Sequence, residues 1–157
     1  MLTLEAQADV QPTLVIAIGN PSRGDDALGP LFAERIAALA LPGVEVLSDF
    51  QLQIEHALDL LGRREVVFVD AAASGAAPFS IAPLAAAADR SITTHALSPA
   101  AVLESYRRLT GKEPPAASVL AIRGHAFELG SSLTAEAAAS LEAALTAFVA
   151  RVSPRRG

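Results

Sequence analysis

Leu14-Val15-Ile16-Ala17-Ile18 runs straight into Gly19-Asn20-Pro21-Ser22-Arg23-Gly24-Asp25-Asp26-Ala27-Leu28-Gly29-Pro30. Five successive apolar residues without alternation are the pattern of a strand covered on both faces, as in a parallel sheet. The polar, glycine-bearing turn that follows leads into Leu31, Phe32, Arg35, Ile36 and Leu39, which fall at helical spacing. Pro30 suits the first turn of that helix and Pro42-Gly43 ends it. A buried strand, a polar turn and a helix make the opening unit of an α/β domain.

Downstream, the unit repeats with variations. Val44 to Leu47 reads as a second strand, and Ile54, Leu58 and Leu61 mark a short helix stopped by Gly62. Val66-Val67-Phe68-Val69 is a third strand, reaching Asp70. From Ala71 to Thr94 the pattern weakens, with a short strand near Phe79 to Ile81. Ser98 and Pro99 cap and start a helix carrying Val102, Tyr106 and Leu109 on one face. Ser118 to Ile122 is another strand, ending in Arg123-Gly124-His125, and Thr134 caps an Ala-rich helix striped by Leu141, Leu145, Phe148 and Val152. Strand–helix alternation with short joints predicts a single α/β domain. Its architecture is a mainly parallel twisted sheet of about five strands, sandwiched by helices on both faces. The domain is expected over residues 13–152, with a flexible tail at 1–12 and a short one at 153–157. This places Asn20, Asp49, Asp70 and His125 just after strand C-termini, the edge where open α/β sheets bind ligands.

Composition narrows the chemistry. The 157 residues carry 17 acidic and 12 basic side chains, a net charge of −5, which disfavours nucleic acid as a partner. The absence of cysteine removes disulfides, thiolate metal sites and thiol nucleophiles together, leaving His and carboxylates as metal ligands. Met1 to Pro12 lacks a cationic start and an apolar run, so no signal peptide is expected. No segment approaches the ~20 apolar residues of a membrane span. The expected location is the cytoplasm.

A glycine-bearing turn before a helix commonly cradles phosphate. Here neither G-x-G-x-x-G spacing nor a Gly-Lys-Ser/Thr ending is present. Asp25 and Asp26 occupy the place of the anion, so a cation fits better. Asp70, polar at the end of an apolar strand, is a second carboxylate candidate. His95 precedes a capped helix whose positive end disfavours imidazolium, keeping the ring neutral as a ligand must be. Two carboxylates and a neutral imidazole at the ends of separate elements make a three-ligand set with open positions. Ordinary roles compete at each position: an Asp caps a turn, and a loop His is surface-exposed.

Gly19-Asn20, Asp25-Asp26, Gly29-Pro30, Val69-Asp70-Ala71 and Thr94-His95 ahead of a helix, in that order, resemble the hydrogenase maturation endopeptidase family. The resemblance covers roughly residues 13–152. It implies an endopeptidase that removes the C-terminal extension of a nickel–iron hydrogenase large-subunit precursor. It also implies that nickel, the cofactor concerned, is presented by that precursor and not permanently bound. By position, Asp26, Asp70 and His95 are then both the catalytic and the metal-reading residues. Many members carry Asp-Glu or Asp-Asp in the first loop, which leaves open whether Asp25 or Asp26 reaches the metal. Glu55 and His56 are further candidates, and Asp49 to Leu60 looks most like members serving cytosolic NAD-linked hydrogenases. The metal would polarise the scissile carbonyl or activate a water, with Asp25 or Asp70 free to act as general base.

Four other readings compete, one of them a bare Rossmann-like binding module, against which the acidic first loop argues. A serine hydrolase lacks its G-x-S-x-G elbow. Peptidyl-tRNA hydrolases share a Gly-Asn-Pro turn, but an acidic chain suits tRNA poorly. A non-catalytic nickel-binding maturation chaperone could use the same carboxylates and imidazole without cutting anything.

Overall fold

The computed structural model describes residues 10–88 and 97–153. Its β-strands are β1 (Thr13–Ile18), β2 (Val44–Asp49), β3 (Glu65–Ala72), β4 (Phe79–Pro83) and β5 (Ala116–Arg123). The helices are α1 (Leu28–Leu39), α2 (Pro99–Thr110) and α3 (Ala135–Val152), with 3-10 segments at Gly24–Ala27 and Ile54–Leu60. The sheet order is β2-β1-β3-β5-β4. β2, β1, β3 and β5 are parallel, and β4 closes one edge antiparallel to β5, pairing Phe79 with Ile122.

Side chains alternate across the pleat, so the apolar runs of β1 and β3 feed two cores at once. Val15, Ala17, Val67 and Val69 pack with Leu28, Phe32 and Ile36 of α1 and Leu141, Leu145 and Phe148 of α3. Leu14, Ile16, Val66 and Phe68 face the other way, toward Leu52, Leu60, Val102, Leu103 and Tyr106. The sheet is covered on both faces, as the unbroken apolar run of β1 requires. None of the described helices is long and apolar enough to cross a membrane.

Several local expectations are corrected. α1 stops at Leu39, before Pro42-Gly43, because Ala40 takes a left-handed conformation at φ 48° and closes the helix. Leu39 and Leu109 lie at the ends of their helices, and both are exposed. The stripe expected at Ile54 and Leu58 points outward: they are 53% and 54% exposed, while His56, Ala57 and Leu60 are buried. The cause is the tighter 3-10 winding, about three residues per turn, which rotates a stripe spaced for an α-helix off the sheet. β3 continues two residues past Asp70, so Asp70 sits within the strand rather than after it. Of the N-terminal segment, Gln11 and Pro12 are tied in. The Pro12 carbonyl accepts from Arg64 and Glu65 N–H, and Gln11 O accepts from Arg63.

Candidate functional site

The two adjacent carboxylates of the first loop have opposite fates. Asp25 is fully buried. Its Oδ2 accepts the backbone N–H of His125 at 2.6 Å and of Ala126 at 3.0 Å, and the Thr134 hydroxyl at 2.8 Å. Its Oδ1 accepts the Thr134 N–H at 2.8 Å. Burial alone would raise the pKa, but the hydrogen bonds from Thr134, His125 and Ala126 outweigh it and hold the carboxyl below the ordinary value. Both oxygens are engaged and the side chain is fully buried, so Asp25 is not presented to a ligand at the surface. The expectation that Asp25 serves as metal ligand or general base gives way to a fastening role.

Glycines make that fastening possible. A Cβ on Gly24 would lie 2.4 Å from Ala126 O, and one on Gly124 would lie 2.8 Å from Asp25 Cβ. The Asp25 N–H returns a bond to Ala126 O at 2.7 Å, and Gly130 N–H donates to Ser22 O at 2.7 Å. The first loop is thereby sewn to the β5–α3 loop.

Asp26 is left partly exposed, with Oδ2 accepting the Asn20 N–H at 2.7 Å. The short turn is held by Asn20 Oδ1, which accepts from Ser22 N–H at 2.8 Å. Asp70, one strand away on β3, has its Oδ1 bonded by the Ala71 N–H at 2.8 Å. Its pKa is pushed up to about 6, first by burial and then by the negative charge of Asp26, against the pull of the Ala71 N–H. Asp26 and Asp70 are therefore near enough to repel each other. A divalent cation placed between them would relieve both the burial cost and that repulsion.

The third expected residue, His95, lies outside the described residues. Among the described residues, no three His, Cys, Asp or Glu side chains cluster closely enough to hold a metal. His125 follows β5 and is exposed, but its backbone N–H, rather than its ring, is what reaches Asp25. Glu55 is exposed on the 3-10 segment. His56 is buried and turned toward Asp49, a pairing that the sequence spacing of seven residues did not reveal.

No protein-family model matches the sequence, and comparison with curated proteins finds no match. Solved structures do match. HycI, a NiFe hydrogenase maturation protease from Thermococcus kodakarensis KOD1, superposes with a TM-score of 0.71 at 23% identity, over 96% of this chain and 97% of that one. HybD, a hydrogenase maturating endopeptidase from E. coli, gives a TM-score of 0.69 at 27% identity, over 89% and 91%. HybD from Thermococcus kodakarensis, a NiFe hydrogenase maturation protease, gives 0.65 at 21% identity, over 90% and 99%. Matched over nearly their whole lengths, this chain and those enzymes share one architecture: the chain has the hydrogenase maturation endopeptidase fold.

Proposed function

We propose that the chain is an endopeptidase that removes the C-terminal extension of a nickel–iron hydrogenase large-subunit precursor once nickel has been inserted. The observation that carries this reading is the division of labour between Asp25 and Asp26. One carboxylate is locked into the scaffold, and its neighbour is left at the sheet edge beside a second, partly buried carboxylate. The full-length likeness to maturation endopeptidases supports the reading independently.

Nickel in the precursor is here part of the substrate. Asp26 and Asp70 take it together with His95, so the protease engages only a loaded client. In the metal-free chain burial and the Asp26 charge raise the proton affinity of Asp70, and the client's divalent ion lowers it again, so Asp70 gives up its proton as it meets the metal. Asp25 holds the Asp26 loop in place throughout. The proposed location is the cytoplasm, in keeping with the resemblance of Asp49 to Leu60 to members serving cytosolic NAD-linked hydrogenases.

Mass spectrometry of a nickel–iron large subunit, co-expressed with and without this chain, tests the reading. Loss of a C-terminal peptide only when both chain and nickel are present is the expected result. Unchanged mass with nickel held tightly by this chain would make it a nickel-carrying chaperone instead.

A further inference from the structure

Beside the Asn20 turn, an open cavity of about 250 Å³ is lined by Gly19, Pro21, Pro30, Ser48, Asp49 and Phe50. That is smaller than the ~300–1,000 Å³ typical of small-molecule sites, and it suits a single side chain. Its walls are mostly apolar, with two prolines and a Phe50 that is 69% exposed. Asp49 adds a carboxylate whose side chain is about half exposed. Gly19 and Pro21 flank Asn20, the residue whose N–H holds Asp26, so the cavity adjoins the proposed cleavage site.

The Asp49 carboxylate is held from two sides. Oδ1 accepts the Phe50 N–H at 2.7 Å. Oδ2 faces Nε2 of His56 at 3.6 Å. That distance is too long for a hydrogen bond but short enough for a directed electrostatic contact. His56 is buried, and its Nδ1 lies 2.9 Å from the Gln53 backbone nitrogen and 3.3 Å from the Gln53 carbonyl oxygen. An amide N–H can only donate, so Nδ1 is the acceptor and the neutral ring carries its proton on Nε2, toward Asp49. Capping the 3-10 segment requires only Nδ1. The orientation of Nε2 toward a carboxylate on the cavity wall is left over by that structural role.

We propose that His56 is a positioning residue: it holds the Asp49 carboxylate at this cavity, where Asp49 takes the hydrogen-bond-donating head of a substrate side chain next to the scissile bond. The apolar walls take the body of the same side chain. This rests on the endopeptidase reading and adds a subsite to it.

The two ring nitrogens can be separated by substitution. His56→Asn keeps an acceptor near the Nδ1 position and loses the Nε2 donor; His56→Gln keeps a donor near Nε2. Each is assayed for cleavage of nickel-loaded precursor, with thermal melting as the control, alongside Asp49→Ala. The precursor is also used with each residue flanking the scissile bond changed singly to Ala. Asp49→Ala is expected to raise KM roughly tenfold with kcat little changed, and to lose that effect on the precursor lacking the engaged side chain. His56→Asn should raise KM several-fold at an unchanged melting temperature, roughly as far as half the Asp49→Ala effect, while His56→Gln stays near wild type. Wild-type KM for Asp49→Ala, or equal losses for His56→Asn and His56→Gln that track melting temperature, would overturn the subsite and leave the endopeptidase reading standing. A wild-type chain that cuts no precursor at all would remove both.

Discussion

Asp25 and Thr134 are joined twice, carboxylate to backbone N–H and carboxylate to hydroxyl, each at 2.8 Å, across 109 positions of the chain. The same hydroxyl oxygen accepts the Ala137 N–H as the N-cap of α3. One threonine therefore starts the last helix and anchors the first loop. The carboxylate beside Asp25, that of Asp26, is held where the β1 end meets the edge of the sheet.

Replacing Asp25 by Ala should destabilise the protein severely. Three backbone N–H groups and one hydroxyl lose their acceptor, and at least the buried ones cannot all find water. The expected loss is about 3–5 kcal/mol in urea unfolding. Asp26→Ala removes one acceptor from a partly exposed turn and should cost about 1 kcal/mol or less. Comparable losses for the two variants would refute the assignment of separate roles.

Thr134→Val loses both the cap and the hydroxyl bond to Asp25, an expected cost of about 1.5–3 kcal/mol, whereas Thr134→Ser keeps both and stays within about 1 kcal/mol. Equilibrium unfolding of the pair at neutral pH checks this. A Val variant as stable as the Ser variant would show that the hydroxyl contributes nothing.

Asp70 predicts a pH dependence of the metal-free protein. Its folded pKa, about 6, lies above the unfolded value of 3.8, so the folded state binds the proton more tightly. The contribution is neutral below the unfolded pKa, grows as a cost while pH rises from about 4 to 6, and is fully present above that. Wild type should lose about 2–3 kcal/mol over this window from this group alone. Asp70→Asn should remove that loss, being more stable than wild type at pH 7 while failing to process precursor. Urea midpoints of both proteins at pH 4, 5, 6 and 7 measure it; parallel profiles would contradict the raised pKa.

Gly29 reverses an ordinary rule. Gly→Ala near a helix start usually gains up to about 1 kcal/mol. Here a Cβ would lie 2.1 Å from the Ile18 carbonyl oxygen, so α1 would have to move off β1. Gly29→Ala is expected to lose about 1–3 kcal/mol by overpacking, read from thermal melting.

The strands and their buried character were legible in the sequence because a parallel sheet covered on both faces needs unbroken apolar runs such as Leu14 to Ile18 and Val66 to Val69. The caps at Ser98 and Thr134 were legible for the same local reason: each side chain accepts from a backbone N–H three residues on. What failed was winding. A 3-10 segment and an α-helix are indistinguishable over the seven residues Ile54–Leu60, so the faces of Ile54 and Leu58 came out reversed. The roles of Asp25 and Asp26 were likewise closed to sequence reading. What separates them is contact with residues about a hundred positions away, and no local pattern at Gly24–Ala27 encodes which of two neighbouring carboxylates turns inward.

The most direct measurement is in vitro processing of nickel-loaded large-subunit precursor by wild type and by Asp26→Ala, Asp70→Ala and His95→Ala. Each substitution should reduce the cleavage rate by roughly a hundredfold or more while the chain remains folded, since each removes a group that meets the client's metal. Cleavage of the same precursor at the wild-type rate by any one of the three would contradict the shared site.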